Sequence, residues 1–299
     1  MGVVADWRDE LRKTFTGTDR PPQWPQDFAD GTDAGHFGPD SAVWAVHGSM
    51  STLVGGIRAL LVQSLHPGAL AGVHDFSAYQ DDVLGRLART IRWIFTVTYG
   101  DTAAARTGCD RVLRMHERVR GGYTDARGAP RAYSANDPDL LRWVHLAFTD
   151  AFLAAECAYG RPVPGGPDRY VAEWAVAAEL MGVPDPPRDV AQLQRQLAEF
   201  DGELAAGERV AEVVALLRDP PLPASQRLGY RILFAGAVAT LEPKYRQLLG
   251  LQVPALGPVP LPVRTATRVV LAVVRLGLGR MGPSEAAARR RRRRLGLDG

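Results

Sequence analysis

Cysteine is nearly absent from this chain: there are two, Cys109 and Cys157, both inside apolar helical patterns. Two thiols so placed exclude a disulfide framework and a cysteine metal cluster, and they point to reduced thiols in a cytoplasmic setting. Long apolar runs are missing as well. Val269 to Val274 falls far short of the roughly 20 residues that span a bilayer, and the opening MGVVADWRDELRKTF meets its charges too early for a signal peptide. Excess charge is scarce once it is located: the net charge is +3, but Arg289 to Arg294 alone carry six positive charges, and without them the balance is −3. A basic nucleic-acid-binding fold is therefore not expected, since it would carry its charge as a patch on the body. There is no Walker loop, no GxSxG, no HExxH and no sustained strand-like alternation.

What is present is helical. With 299 residues, 46% of them hydrophobic, and 22 prolines as punctuation, the chain reads as one all-α domain of about ten helices. Residues 1–40 form an irregular arm in which Trp24 and Phe28 pack on the body. Ser41 caps a helix that runs through Leu65 and ends at His66-Pro67, followed by the link GALAGVHDFSAYQ. Helices are then expected from Asp81 to Tyr99 and from Asp101 or Thr102 to about Gly121, and a polar loop, YTDARGAPRAYSAN, precedes a helix started by Asp137-Pro138. Further helices cover Asp168 to Met181, Asp189 to Leu204, Glu208 to Leu217 and Ala224 to Leu249. The domain spans residues 41–282 and closes on the amphipathic segment PVRTATRVVLAVVRLGLGRMG; a basic, disordered tail over 283–299 offers weak contact with an anionic membrane surface.

Three groups of residues are candidates for chemistry. His116 shares an apolar helix face with Cys109, Val112 and Val119, and His145 shares one with Leu141, Phe148 and Phe152; each is either a satisfied core histidine or a ligand. Arg86, Arg89 and Thr90 stand at i, i+3 and i+4, so two cations and a hydroxyl share one helix face, either as a surface stripe or facing an anionic ligand. His66 and His74, with Asp75, Asp81 and Asp82 nearby, are a weak candidate for a non-haem metal because their spacing matches no metal-site pattern.

The succession GGIRALLVQSLHPGALAGV, GRLARTIRWIFTVTYG, VLRMHERVRG and YSANDPDLLRWVHLAF, from Ser41 to Pro184, resembles the DUF2236 family, the MpaB-like and latex-clearing-protein-like oxygenases. The resemblance implies an all-α, globin-like helical core around b-type haem and an oxidoreductase that uses dioxygen on an apolar small molecule, with oxidative cleavage of a carbon–carbon double bond in characterised members. It makes His116 the proximal iron ligand and Arg86 and Thr90 distal-pocket residues, and puts Arg89 where the latex-clearing branch has lysine. No glutamate base stands at the matching spacing, which leaves His74 as the nearest ionisable group. Arg114, Arg118, Arg120, Arg131 and Arg142 are candidates for the propionates, and His145 is a second pocket histidine. A non-catalytic haem- or lipid-binding protein, or a membrane-surface adaptor working through the arginine run, remains open on these residues alone.

Overall fold

The residues that build the centre of the molecule are small and apolar. In the computed structural model a helix α3 (Thr52–Gln63) lies against a long helix α7 (Pro138–Tyr159), and Gly55 makes the contact close: a Cβ there would come within 3.2 Å of Phe152 Cα. Val54, Leu61, Val62, Leu146, Ala147 and Ala151 are fully buried between these helices and their neighbours. The structure describes residues 23–76, 83–257, 259–279 and 281–297, and for residues 76, 83, 84, 86 and 87 the backbone only.

Before α3 come α1 (Trp24–Asp27) and α2 (Ala42–His47); after it come α4 (Pro67–Phe76), α5 (Val83–Tyr99) and α6 (Thr102–His116). A hairpin, β1 (Arg120–Thr124) with β2 (Pro130–Ser134), leads into α7. Then follow α8 (Pro167–Leu180), α9 (Val190–Glu199), α10 (Glu208–Arg218), α11 (Ala224–Thr240) and α12 (Pro243–Leu248). A second small hairpin, β3 (Ala255–Leu256) with β4 (Val259–Pro260), precedes α13 (Val263–Leu278) and α14 (Pro283–Arg294). Fourteen helices and two tiny sheets among the described residues make the fold all-α.

Several boundaries differ from the sequence expectation, each for a local reason. Ser41 does cap a helix, accepting from Trp44 N at 3.1 Å, but the helix ends at Gly48 and α3 starts afresh. The preceding helix already ends at Gln63, and Pro67 begins another. Proline is favourable at a first helical position, and His66 Nδ1 accepts from Gly68 N at 3.1 Å and Ala69 N at 3.4 Å, so the expected link is α4. Pro243 splits the helix expected over 224–249 in the same way. The expected polar loop is the hairpin: Gly121 pairs with Tyr133, and Tyr133 is buried against Gly72 of α4. Five-residue strands are too short to show their alternation.

The arginine run is the largest correction. It is a helix, not a disordered tail, and Arg291 has no exposed surface. Its Nη1 donates to Phe28 O at 3.1 Å and Tyr99 O at 2.9 Å, and its Nη2 to Ala34 O and Gly100 O, both at 3.3 Å. Tyr99 and Gly100 end α5, where carbonyls lack intrahelical partners and the helix dipole is negative, so a guanidinium fork fits there. The N-terminal arm packs at the same place, with Trp24 meeting Phe28 and Phe95 at ring-centroid distances of 5.7 and 6.5 Å.

Candidate functional site

Helices α5 and α6 run antiparallel, joined by the turn at Gly100 and Asp101, whose carboxylate caps α6 by accepting from Ala104 N at 2.8 Å. Gly108 approaches the Thr96 side chain and Cys109 lies against Trp93. From Cys109 the helix α6 runs on to His116, and from Trp93 α5 runs back to its first turns, which bear Arg86, Arg89 and Thr90. The two ends of α5 differ in burial. Ile94, Val97 and Tyr99 are buried, whereas Ala88 and Ile91 are half-buried and Arg89 and Thr90 exposed. The Arg86 side chain lies outside the described residues.

His116 is the last residue of α6 and is half-buried. Burial lowers its pKa, opposed by the Asn136 side chain and the Ala135 backbone beside the ring. A neutral imidazole is the form that ligates a metal. Its Nδ1 is buried without a hydrogen-bond partner, and so is Asn136 Oδ1. Cys109 is buried on the same helix, as the helical wheel requires, and burial pushes its thiol up to about 11. Val119 lies beyond the helix end and packs on Gly72.

The other expected residues are more scattered. His145 is buried in α7, its Nε2 3.4 Å from Thr149 Oγ1, and burial lowers its pKa to about 4. His74 lies on α4 with Nδ1 3.2 Å from Asp75 Oδ1 and Nε2 3.8 Å from Glu212 Oε2 of α10. Arg142 pairs with Glu199 and stacks 5.5 Å over the Phe200 ring. Arg131 pairs with Asp125 at 3.0 Å and Arg120 Nε donates to Glu117 O at 3.1 Å, while Arg114 and Arg118 are exposed. His66 is used on both nitrogens, Nδ1 at the start of α4 and Nε2 3.3 Å from Glu203. Among the described residues no group of three histidines, cysteines or carboxylates is placed to hold a metal ion; Asp81 and Asp82 fall outside them. An iron held by a porphyrin asks the protein for one axial side chain, not three.

Two residues with clear roles were not legible in the sequence. His47, at the end of α2, is almost fully buried, with Nδ1 2.8 Å from Thr98 Oγ1, Nε2 3.1 Å from Tyr170 OH and Trp174 edge-on at 4.4 Å. Burial lowers its pKa to about 3, so it is a neutral core histidine. Asn136 looked like loop, yet its Nδ2 donates to Leu113 O at 2.9 Å beneath the last turn of α6.

No curated protein and no solved structure matches the chain. A family of catalytic domains does, described as ER-bound oxygenase mpaB/B'/rubber oxygenase, over residues 44–276. The match runs well past Pro184, where the motif resemblance fades, and takes in α5, α6, the β1–β2 hairpin and α7. Covering more than three quarters of the chain, it shows that this protein belongs to the mpaB/rubber oxygenase family and is an oxidoreductase with that family's oxygenase catalytic domain.

Proposed function

We propose that the protein is a haem b-dependent oxygenase that acts with dioxygen on an apolar small molecule, and that His116 is its axial ligand. The observation that carries this is the state of His116: a half-buried ring, favoured neutral, whose buried Nδ1 has no well-formed hydrogen bond, at the end of the helix that packs along α5. His47 and His66, by contrast, have both nitrogens engaged by protein groups. The residues fit the cofactor. His116 supplies the one side chain the iron needs, and Arg89 and Arg118, both exposed, are the cations we assign to its carboxylates.

Bound haem supplies dioxygen binding and activation, chemistry that no side chain offers. The chain's own part is to orient and to exclude water. Arg86, Arg89 and Thr90 provide donors on the α5 side, and arginine at 89 donates without ever becoming a neutral ligand, unlike the lysine of the latex-clearing branch. His74, held between Asp75 and Glu212, is the residue we assign to proton movement, and His145 lines the apolar interior of α7. Alkene cleavage is the reaction class to test first.

The decisive experiment is an absorption spectrum of protein expressed with haem supplied. A Soret band that disappears in His116→Ala is expected; no band in the wild type, or an unchanged band in the variant, overturns the assignment. A ferrous sample that neither binds carbon monoxide nor consumes oxygen would make the protein a haem carrier without turnover.

A second reading concerns membrane contact. Among the described residues no helix is long and apolar enough to cross a bilayer. Helix α13 nevertheless exposes Val269, Val273 and Leu276 at i, i+4 and i+7, with Arg264 and Arg268 exposed beside them. That pattern suits an anionic surface, and it moves the expected contact from the arginine run, whose Arg291 is buried, to α13. Co-sedimentation with anionic but not neutral vesicles, lost in Val273→Ser/Leu276→Ser, is expected; equal sedimentation of the two proteins counts against it.

A further inference from the structure

The last turn of α6 is held from below by a residue twenty positions further along the chain. Val119 N donates to His116 O at 2.9 Å, and Ala135 N to Val119 O at 2.9 Å, so the β1–β2 hairpin returns the chain to the end of the helix it left. Asn136 follows directly. Its amide nitrogen Nδ2 donates to Leu113 O at 2.9 Å, and Leu113 lies three residues before His116. A backbone carbonyl only accepts, so the group facing it is the NH₂, and this fixes which way the amide points.

The consequence falls on the other end of the amide. Oδ1 is buried with no well-formed hydrogen bond, and so is Nδ1 of His116. The groups beside the imidazole are the Asn136 side chain and the Ala135 backbone. Oδ1 and a backbone carbonyl have lone pairs and no proton, so each asks the ring for an N–H. A neutral imidazole has one N–H. Placed at Nδ1, it leaves the lone pair on Nε2.

We propose that Asn136 is the positioning residue of the ligand site: its Oδ1 accepts a hydrogen bond from His116 Nδ1–H and so selects the tautomer whose Nε2 binds iron. This rests on the assignment of His116 as axial ligand. It explains why the hairpin is built against α6, and it adds a function to a side chain that otherwise only ties down the Leu113 carbonyl. Partners of this kind orient a ligating histidine and raise its basicity, and losing one typically weakens binding about 10–100-fold.

The test separates the tautomer from both the packing and the cofactor. Apo-protein labelled with ¹⁵N-histidine is examined by NMR at pH 8, where the ring is neutral. Wild type is expected to show His116 protonated at Nδ1, Asn136→Leu to move it toward the Nε2–H form, and Asn136→Asp to keep Nδ1–H because a carboxylate still accepts. Both variants lose the donor to Leu113 O, so a role confined to that bond would shift stability alike in the two and leave the tautomer unmoved; that result overturns the proposal, as does an Nε2–H ring in wild type. In the ferrous holoprotein the iron–histidine stretching frequency should fall in Asn136→Leu and rise in Asn136→Asp. If the NMR pattern is as expected but no haem is taken up, the pairing of Asn136 with His116 stands and the haem assignment fails. If haem binds through His116 while the tautomer ignores residue 136, the assignment stands and the positioning role fails.

Discussion

His47 and His116 are the same residue type at the ends of two helices, and their surroundings are opposite. At His47 both ring nitrogens are answered, by Thr98 and Tyr170, and in the same core Arg58 meets Asp150, Gln194 Nε2 reaches Asp150 Oδ1 at 2.9 Å, and Ser51 donates to Glu156. Around His116 two buried polar atoms, its own Nδ1 and Asn136 Oδ1, lack well-formed partners. An unanswered buried polar atom destabilises the fold by about 1–3 kcal/mol. The first region therefore contributes stability, and the second is where we propose that a ligand is held.

Breaking the first region should produce the largest effects. Arg58 and Asp150 are 2% and 9% exposed, so Arg58→Ala leaves a buried carboxylate without its cation and should lose about 3–5 kcal/mol in urea denaturation. Arg58→Met/Asp150→Leu should recover most of that loss. By contrast, His116→Phe in the apo-protein should lose only about 1–3 kcal/mol, the cost of leaving Asn136 Oδ1 buried without the ring N–H.

Acid should separate the regions next. Burial holds His47 at about 3 and His145 at about 4, below the unfolded value near 6.5, so the unfolded state takes up protons that the folded state refuses. Their contribution is complete above pH 6.5 and is lost as pH falls toward those values, by about 1.4 kcal/mol per pH unit for each residue. Melting curves at pH 7 and pH 5 measure it, and His145→Gln should flatten the dependence. Gly55→Ala comes next, at about 1–3 kcal/mol, because the added methyl is forced against Phe152. Arg89→Ala and Thr90→Ala should be smallest, within about 0.5 kcal/mol for exposed side chains. Oxygen-dependent turnover should nevertheless fall in both; unchanged turnover would remove α5 from the site.

The helical class was readable because helical spacing and proline punctuation are local signals. The same locality explains the breaks that differ: Pro67 reads as an end in the sequence, whereas the His66 side chain makes it a beginning. The wheel position of His116, on the face of buried Cys109, was legible. The bond from Asn136 to Leu113 O was not, since it exists only when a hairpin brings residues 135 and 136 under a helix that ended at residue 116. The arginine run misled for a related reason: consecutive charges look solvated, and the carbonyls that bury Arg291 belong to the backbone of distant segments.

The sequence by itself determined the all-α class, the family, and the histidine and arginine helix faces that form the candidate site, because side-chain periodicity and motif spacing are properties of the linear chain. Only the tertiary structure decided which histidine nitrogens are spent on partners in the core. Whether a ring nitrogen has a partner depends on groups that folding brings from elsewhere: Tyr170 to His47, Glu203 to His66 and Asn136 to His116.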